Sequence, residues 1–254
     1  YLEVEVTGPD KDLHSGHYGG AVVNPINALC SMIESLIDED GRITVKGFYD
    51  DVMNLSRKDR QLLGKAPFDK KEYMDSIGVN ALRGEKGYTT LERTGIRPCL
   101  DVNGIWGGFI GEGAKTVIPS VAYAKISMRL VPNQKSDKIS KLFAKHFKSI
   151  APKGVTVKVE EHHGGNGFLI PISSDAYAAA SKAIAEVYGI EPVPSRGGGS
   201  IAILAEMQQA LKADPLLMGF GLERDTIHSP NESFLLSQFF KGMRSIALFY
   251  EYFR

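Results

Sequence analysis

The sequence predicts an antiparallel α+β sandwich over residues 1–166, with helices on one face and an insertion within it, followed by a portion of an α/β domain over residues 167–254. Three observations carry this prediction. Segments of two-residue period stand at 1–7 and 121–130. Each leads into a helix-period segment and then another strand, so strand–helix–strand occurs twice. Beyond residue 166 the pattern changes to helices around one nearly all-apolar run, "LLMGFG" (216–221), of the kind found in a strand covered on both faces.

In chain order, Leu2, Val4 and Val6 alternate with Glu3, Glu5 and Thr7, as in a half-buried strand. The glycine-rich stretch "DLHSGHYGG" (12–20) breaks that pattern. Asn24-Pro25 has the form of an N-cap with proline at the first helical position. Ile26, Leu29, Cys30, Ile33, Leu36 and Ile37 then keep helical spacing to Gly41, and Cys30 reads as a small buried hydrophobe. "RITVKG" (42–47) reads as a strand, and residues 50–93 as a charged, mostly helical insertion. Ala122, Ala124, Ile126, Met128 and Leu130 share one face of a long strand. Asn133 opens a helix with Ile139, Leu142, Phe143, Phe147 and Ile150 on one side, and "VTVKV" (155–159) is the next strand. Together these elements predict a ferredoxin-like two-layer sandwich. "HHGGNG" (162–167) reads as a crossover, residues 174–188 as an alanine-rich helix, 200–212 as a helix begun through a glycine loop, and 232–253 as a long closing helix.

Lysine plus arginine equals aspartate plus glutamate, 30 each, which argues for neither nucleic acid nor an anionic membrane as a partner. No apolar run approaches a membrane span. Cys30 and Cys99 are too few for a disulfide framework and point to a reducing, cytoplasmic setting. The chain begins at Tyr1 inside a strand pattern, as a piece of a longer protein would.

Four places hold residues suited to chemistry. His14 and His17 stand three apart in the glycine-rich stretch, open to reading as a metal site, a catalytic base or a turn. His228, in "ERDTIHSPNES", follows the apolar run where α/β sheets build their sites. A neutral imidazole there ligates a metal, or the segment caps a helix; one histidine cannot hold a metal alone. There is no HExxH and no paired-cysteine motif. In "SRGGGSIAI" (195–203) the glycines precede a helix, so backbone N–H groups are free to bind an anion and Arg196 to clamp a carboxylate; a plain tight turn is the alternative. Thr116 and Arg129 flank the strand near 121–130, where an ordinary solvated arginine is the bland reading.

Taken together, "DLHSGHYGG", "RPCLDVNGIWGGFIGEGAKTVIP", "KISMRLVPNQ", "SRGGGSI" and "HSPNE" resemble, in order, the motifs of the M20 metallopeptidases, in particular the carnosinase-like, cytosolic dipeptidase branch. The resemblance implies a lid and dimerisation domain over residues 1–166 and the C-terminal segment of a di-zinc or di-manganese catalytic domain over 167–254. It implies a homodimer through the lid and a dipeptide-like substrate. It makes His14 the donor to the oxyanion, reaching into the partner's site, with no role for His17. It makes Thr116, Arg129, Arg196, Gly199 and Ser200 the grip on the substrate, and His228 the last metal ligand. Gly197 stands where the family often has an acidic residue. The family's upstream H-x-D pair, bridging aspartate and paired glutamates have no match in this sequence, so these 254 residues alone are expected neither to hold the metal pair nor to turn over substrate. The alternatives are a non-catalytic dimerisation or binding module and a deacylase of N-acyl amino acids; the insertion and "NGIWGG" favour the dipeptidase branch.

Overall fold

The computed structural model describes residues 1–197, 201 and 203–254. They form two compact units. One comprises residues 1–60, 67–168 and 196–205, the other 61–66, 169–195 and 206–254.

The first unit is built on a four-stranded sheet. Its elements are β1 (Leu2–Thr7), β2 (Leu13–His14), α1 (Ser15–Tyr18), α2 (Pro25–Glu34), α3 (Arg57–Leu63, which runs on into the second unit), α4 (Lys70–Ser76), α5 (Thr90–Gly95), β3 (Cys99–Gly107), β4 (Val117–Ile118), β5 (Val121–Arg129), α6 (Ser136–Ser149) and β6 (Thr156–Glu161). The sheet order is β3-β5-β1-β6, and every neighbouring pair is antiparallel. The alternation expected for β1 and β5 is realised: Leu2, Val4, Val6, Ala122, Ala124 and Ile126 are buried. Against that face lie Leu29 and Met32 of α2 and Ile139, Phe143 and Phe147 of α6, so both helices cover one side. The Phe143 and Phe147 rings stack with centroids 5.3 Å apart.

Helix α2 starts as predicted, with Asn24 Oδ1 accepting from the Ile26 N–H at 2.9 Å and proline next to the cap. Cys30 is exposed, which corrects its reading as a core residue. The buried stripe is Pro25, Ala28, Leu29 and Met32, and a residue one step past Leu29 turns about 100° away from it. Residues 42–47 make only an isolated bridge, Ile37 to Ile43, instead of a strand. The sheet position belongs to β3, whose alternation is hidden by a bulge between Val102 and Gly104. Helix α6 begins at Ser136, later than Asn133, which takes a left-handed φ of 78°. Gln134, 1% exposed, closes the corner: its Oε1 accepts from Val131 N–H at 3.0 Å and its Nε2 donates to Phe48 O at 2.8 Å.

The insertion is short helices held by ion pairs. Thr89 and Glu92 form a reciprocal capping box at the start of α5. Buried Glu92 also accepts from Arg60 at 2.5 and 2.9 Å. Buried Arg97 donates to Glu85 at 2.7 and 2.8 Å, and Arg42 reaches the same carboxylate at 2.8 Å. The Arg97 guanidinium also lies over the Tyr88 and Tyr49 rings, 4.4 and 5.1 Å from their centroids. Burial opposes its charge, but Glu85 more than offsets this and leaves Arg97 above its ordinary range. Two-point pairing is what makes such a buried pair tolerable.

The second unit, among the described residues, is helical. α7 (Asp175–Tyr188) and α9 (Leu236–Tyr252) pack together; α8 (Ile203–Leu211) begins in the first unit and ends here. Ser174 caps α7 and Gly189 ends it at a φ of 75°. Ala179, Ala180 and Ala183 of α7 and Gly242 and Ser245 of α9 are buried, small residues that permit close approach. Tyr188 Oη donates to Gln238 Oε1 at 2.8 Å, while Glu186 meets Arg244 and Tyr252. Residues 216–221 form no strand, because the described residues of this unit offer no neighbouring strand to complete a ladder. The expected α/β character of this segment is therefore not seen in it. No helix among the described residues is long and apolar enough to cross a membrane.

The Arg60 hydrogen bond, the largest influence, holds the Glu92 carboxyl below its ordinary 4.5 against the effect of burial. A depressed carboxyl contributes stability that is complete above the unfolded value and is lost as pH falls through the folded one. Glu92→Gln lacks that contribution. In urea denaturation at stepped pH, the stability gap between wild type and Glu92→Gln should be full above pH 4.5 and narrow below it. A gap independent of pH would remove Glu92 as an acid-sensitive tie.

Candidate functional site

His14 is placed by a two-residue ladder in which β2 pairs Leu13 with Ile118 and His14 with Val117. Ser15 N–H donates to Thr116 O at 3.1 Å, so His14 and Thr116 are brought side by side. Asp12 Oδ1 accepts from Ser120 N–H at 2.9 Å, and Gly8 N–H donates to Ser120 O at 2.8 Å, which ties this corner to the start of β5. The His14 side chain caps α1: Nδ1 accepts from the Gly16 N–H at 3.0 Å. A neutral imidazole that accepts at Nδ1 carries its proton on Nε2. The exposed ring therefore presents an N–H donor to solvent. The His17 ring lies beside it, centroids 4.9 Å apart. Glycine at 16 leaves room for the ring in this position, since a Cβ there would lie 2.8 Å from His14 Cε1 and 3.0 Å from Nδ1 and push the ring aside.

Arg129 ends β5 and pairs with Cys99. The Arg196 carbonyl lies against Gly95, the last residue of α5, four residues before Cys99 in the chain. Burial pushes the half-buried Arg196 guanidinium below its ordinary range, with Asp59 opposing the shift. Arg196 thus stands against the end of α5 and Arg129 at the last position of β5, while His14 and Thr116 are tied to the beginning of β5. Gly199 and Ser200 lie outside the described residues.

His228, in the second unit, follows a 3₁₀ turn, Glu223–Asp225. Three non-glycine residues around it adopt left-handed backbone: Thr226 (φ 52°), His228 (63°) and Asn231 (62°). Such conformations are costly and persist where the surroundings hold them. Here Asp225 is 2% exposed, its Oδ2 accepts from Leu222 N–H at 2.7 Å and its carbonyl from Ser233 N–H at 3.0 Å. Thr226 Oγ1 donates to Asn231 O at 3.2 Å. The segment does not cap α9, which starts at Leu236 with no side-chain cap. The strained loop holds His228 exposed at its tip. Among the described residues no group of three or more His, Cys, Asp or Glu is placed to hold a metal, so this loop offers one ligand and not a metal centre.

Residues 1–155 match the model of the M20 peptidase dimerisation domain. The chain belongs to the M20 metallopeptidases, in their carnosinase-like branch. It is 34% identical to the Cys-Gly metallodipeptidase DUG1 of Saccharomyces cerevisiae over all of its own length and 53% of that protein. It is 31% identical to the human Beta-Ala-His dipeptidase, over 98% of this chain and 50% of that one. The solved structure of Dug1p from the same yeast superposes with a TM-score of 0.82 at 32% identity, covering 99% of this chain and 53% of that one. The M20 metallo-carboxypeptidase Sso-CP2 of Sulfolobus solfataricus superposes at 0.84 with 28% identity, over 99% of this chain and 58% of that one. The chain spans about half the length of the curated relatives it matches.

Gly16 and Asp225 were not singled out in the sequence. Gly16 is one of several glycines in its stretch, and only the ring packed on it reveals its use. Gly16→Ala should displace the His14 ring and break the cap. In ¹⁵N–¹H spectra of the imidazoles, wild-type His14 should be the Nε2–H tautomer and Gly16→Ala a mixture. An unchanged tautomer in the variant would show that Gly16 does not set it.

Proposed function

We propose that this chain is the lid (residues 1–166) and the C-terminal catalytic segment (residues 167–254) of a homodimeric, cytoplasmic M20 dipeptidase that uses two divalent metals. The dipeptidases named above support the substrate class, and the dimerisation-domain match supports the pairing of subunits. The sheet order β3-β5-β1-β6, with α2 and α6 on one face, supports a ferredoxin-like lid. Of the ligands to the metal pair, these residues contribute one, His228.

One observation carries the division of labour. His14 and Thr116 are tied to the beginning of β5, while Arg129 is its last residue, eight steps from Val121. At about 3.4 Å per residue these ends are about 27 Å apart, whereas an extended dipeptide spans about 7 Å. That separation supports a reading in which the two groups of one subunit serve different dipeptides. Arg129 and Arg196, with the Gly199-Ser200 loop, grip the substrate in their own subunit's site, Thr116 completes that grip in the partner's site, and the two ends of the lid serve two different sites of the dimer. His14 and Thr116 reach the partner's site, where His14 Nε2–H donates to the oxyanion that forms at the scissile carbonyl.

In the full-length enzyme, Arg129→Met should lower kcat/KM for dipeptides with a free carboxylate on the order of 10²-fold, the scale of losing a charge partner. C-terminal amides should lose much less. Equal loss for both would remove Arg129 from the carboxylate site.

His14→Ala should lower kcat roughly 10²–10³-fold with metal content unchanged, as for loss of one oxyanion donor. Mixing decides whether it acts across the dimer. Homodimers of His14→Ala and of His228→Ala should both be nearly dead. In the mixed dimer the His14→Ala chain keeps its metal ligands and receives an intact His14 from its partner, so up to about half of wild-type activity should return. Heterodimers that form without rescue would sink the assignment in trans.

A further inference from the structure

Gly95 is the last residue of α5 and is buried. It is not among the glycines with positive φ, so the backbone there does not require glycine. The contact does. A Cβ at Gly95 would stand 2.4 Å from the Arg196 carbonyl oxygen, 3.2 Å from its carbon and 3.3 Å from Arg196 Cβ. Backbone is seated on backbone, and neither can yield as the end of a flexible side chain would.

The seat is rigid for reasons visible around it. The capping box fixes the first turn of α5, and Glu92 O accepts from both Ile96 and Arg97 N–H at 2.8 and 3.1 Å at its end. Arg93 Nε donates to the Glu85 backbone carbonyl at 3.0 Å, and the Glu85 carboxylate takes both bonds from Arg97. What rests on this seat is a half-buried guanidinium to which no hydrogen bond or ion pair connects another described residue. Asp59 acts on it only through its field, and a cation partly removed from water with no hydrogen-bond acceptor among the described residues is disposed to take an anion.

We propose that Gly95 is a positioning residue for Arg196, and that the insertion, through α5, sets where Arg196 meets the substrate carboxylate. The insertion is then part of the specificity apparatus and not a peripheral decoration. Because α5 runs directly into β3, which pairs with the strand end bearing Arg129, one rigid piece of chain spaces both arginines. This inference rests on the proposed reading of Arg196 as a carboxylate ligand.

The test uses the full-length enzyme with free and C-terminally amidated dipeptides. Gly95→Ala should raise KM for the free dipeptide about tenfold, on the scale expected for misplacing a binding group by a fraction of an ångström, with kcat nearly unchanged. KM for the amide should not move. Added to Arg196→Met, Gly95→Ala should raise KM no further, which a general loss of stability would not produce. Glu92→Gln loosens α5 without touching Gly95, and should give the same split between substrates at smaller size. Arg196→Met that leaves KM unchanged overturns the carboxylate reading and this inference with it. Arg196→Met that raises KM, while Gly95→Ala and Glu92→Gln do not or act equally on both substrates, overturns the inference alone.

Discussion

The pairing of β1 with β5 and β6 sets Val4 opposite Ala124 on one side and Val159 on the other. Because side chains alternate, a slip of one residue would turn Leu2, Val4 and Val6 to solvent and bring Glu3 and Glu5 under the helices. That penalty makes the register unique. It then fixes where everything else must stand: the β2–β4 corner at one end of β5 and Arg129 at the other. The placing of these two groups at opposite ends of one strand is a consequence of core packing, and in the proposed reading the pairing of subunits turns that layout to one substrate.

A second source of order is electrostatic and lies in the insertion, where three short helices offer little apolar surface. None of α3 and α4 is buried, and α5 buries only Glu92 and Gly95. Charge pairs replace the missing core. Glu85 and Arg97 are both under a tenth exposed, and each would be costly to bury alone. Their geometry is directional where hydrophobic packing is not, so the segment is held in one orientation despite its small core.

Elements with strong local signals were legible in the sequence: the alternation of β1 and β5, the Asn24-Pro25 start of α2, the Ser174 start of α7. Those that depend on a partner were not. Residues 42–47 and 216–221 have strand-like composition, but a strand exists only where another offers it hydrogen bonds. β3 has those bonds, yet its bulge and its polar Asp101 and Asn103 conceal it. The residue types of the candidate site were legible from the motifs. Thr116 and Arg129 already read as flanking one strand, but that the β2–β4 ladder ties His14 beside Thr116 was not legible, since that pairing joins segments distant in the sequence. Glu85 and Arg97 look like ordinary surface charges until the fold buries them together. Gly95 looks like an ordinary helix-ending glycine, and only the approach of Arg196 separates the two explanations.

The cap made by His14 also governs what the ring can bind. Its Nδ1 lone pair is occupied by the Gly16 N–H, and its Nε2 bears the remaining proton. A divalent cation needs a free lone pair on an imidazole nitrogen. To obtain one it must either strip the proton from Nε2 or unseat the first turn of α1. The ring is thus protected from coordination while remaining a hydrogen-bond donor. In the proposed reading, where His14 comes near a metal pair, this is what would keep the ring a donor and out of the coordination sphere. Here a four-residue helix that buries none of its residues keeps the ligand chemistry and the donor chemistry of one side chain apart.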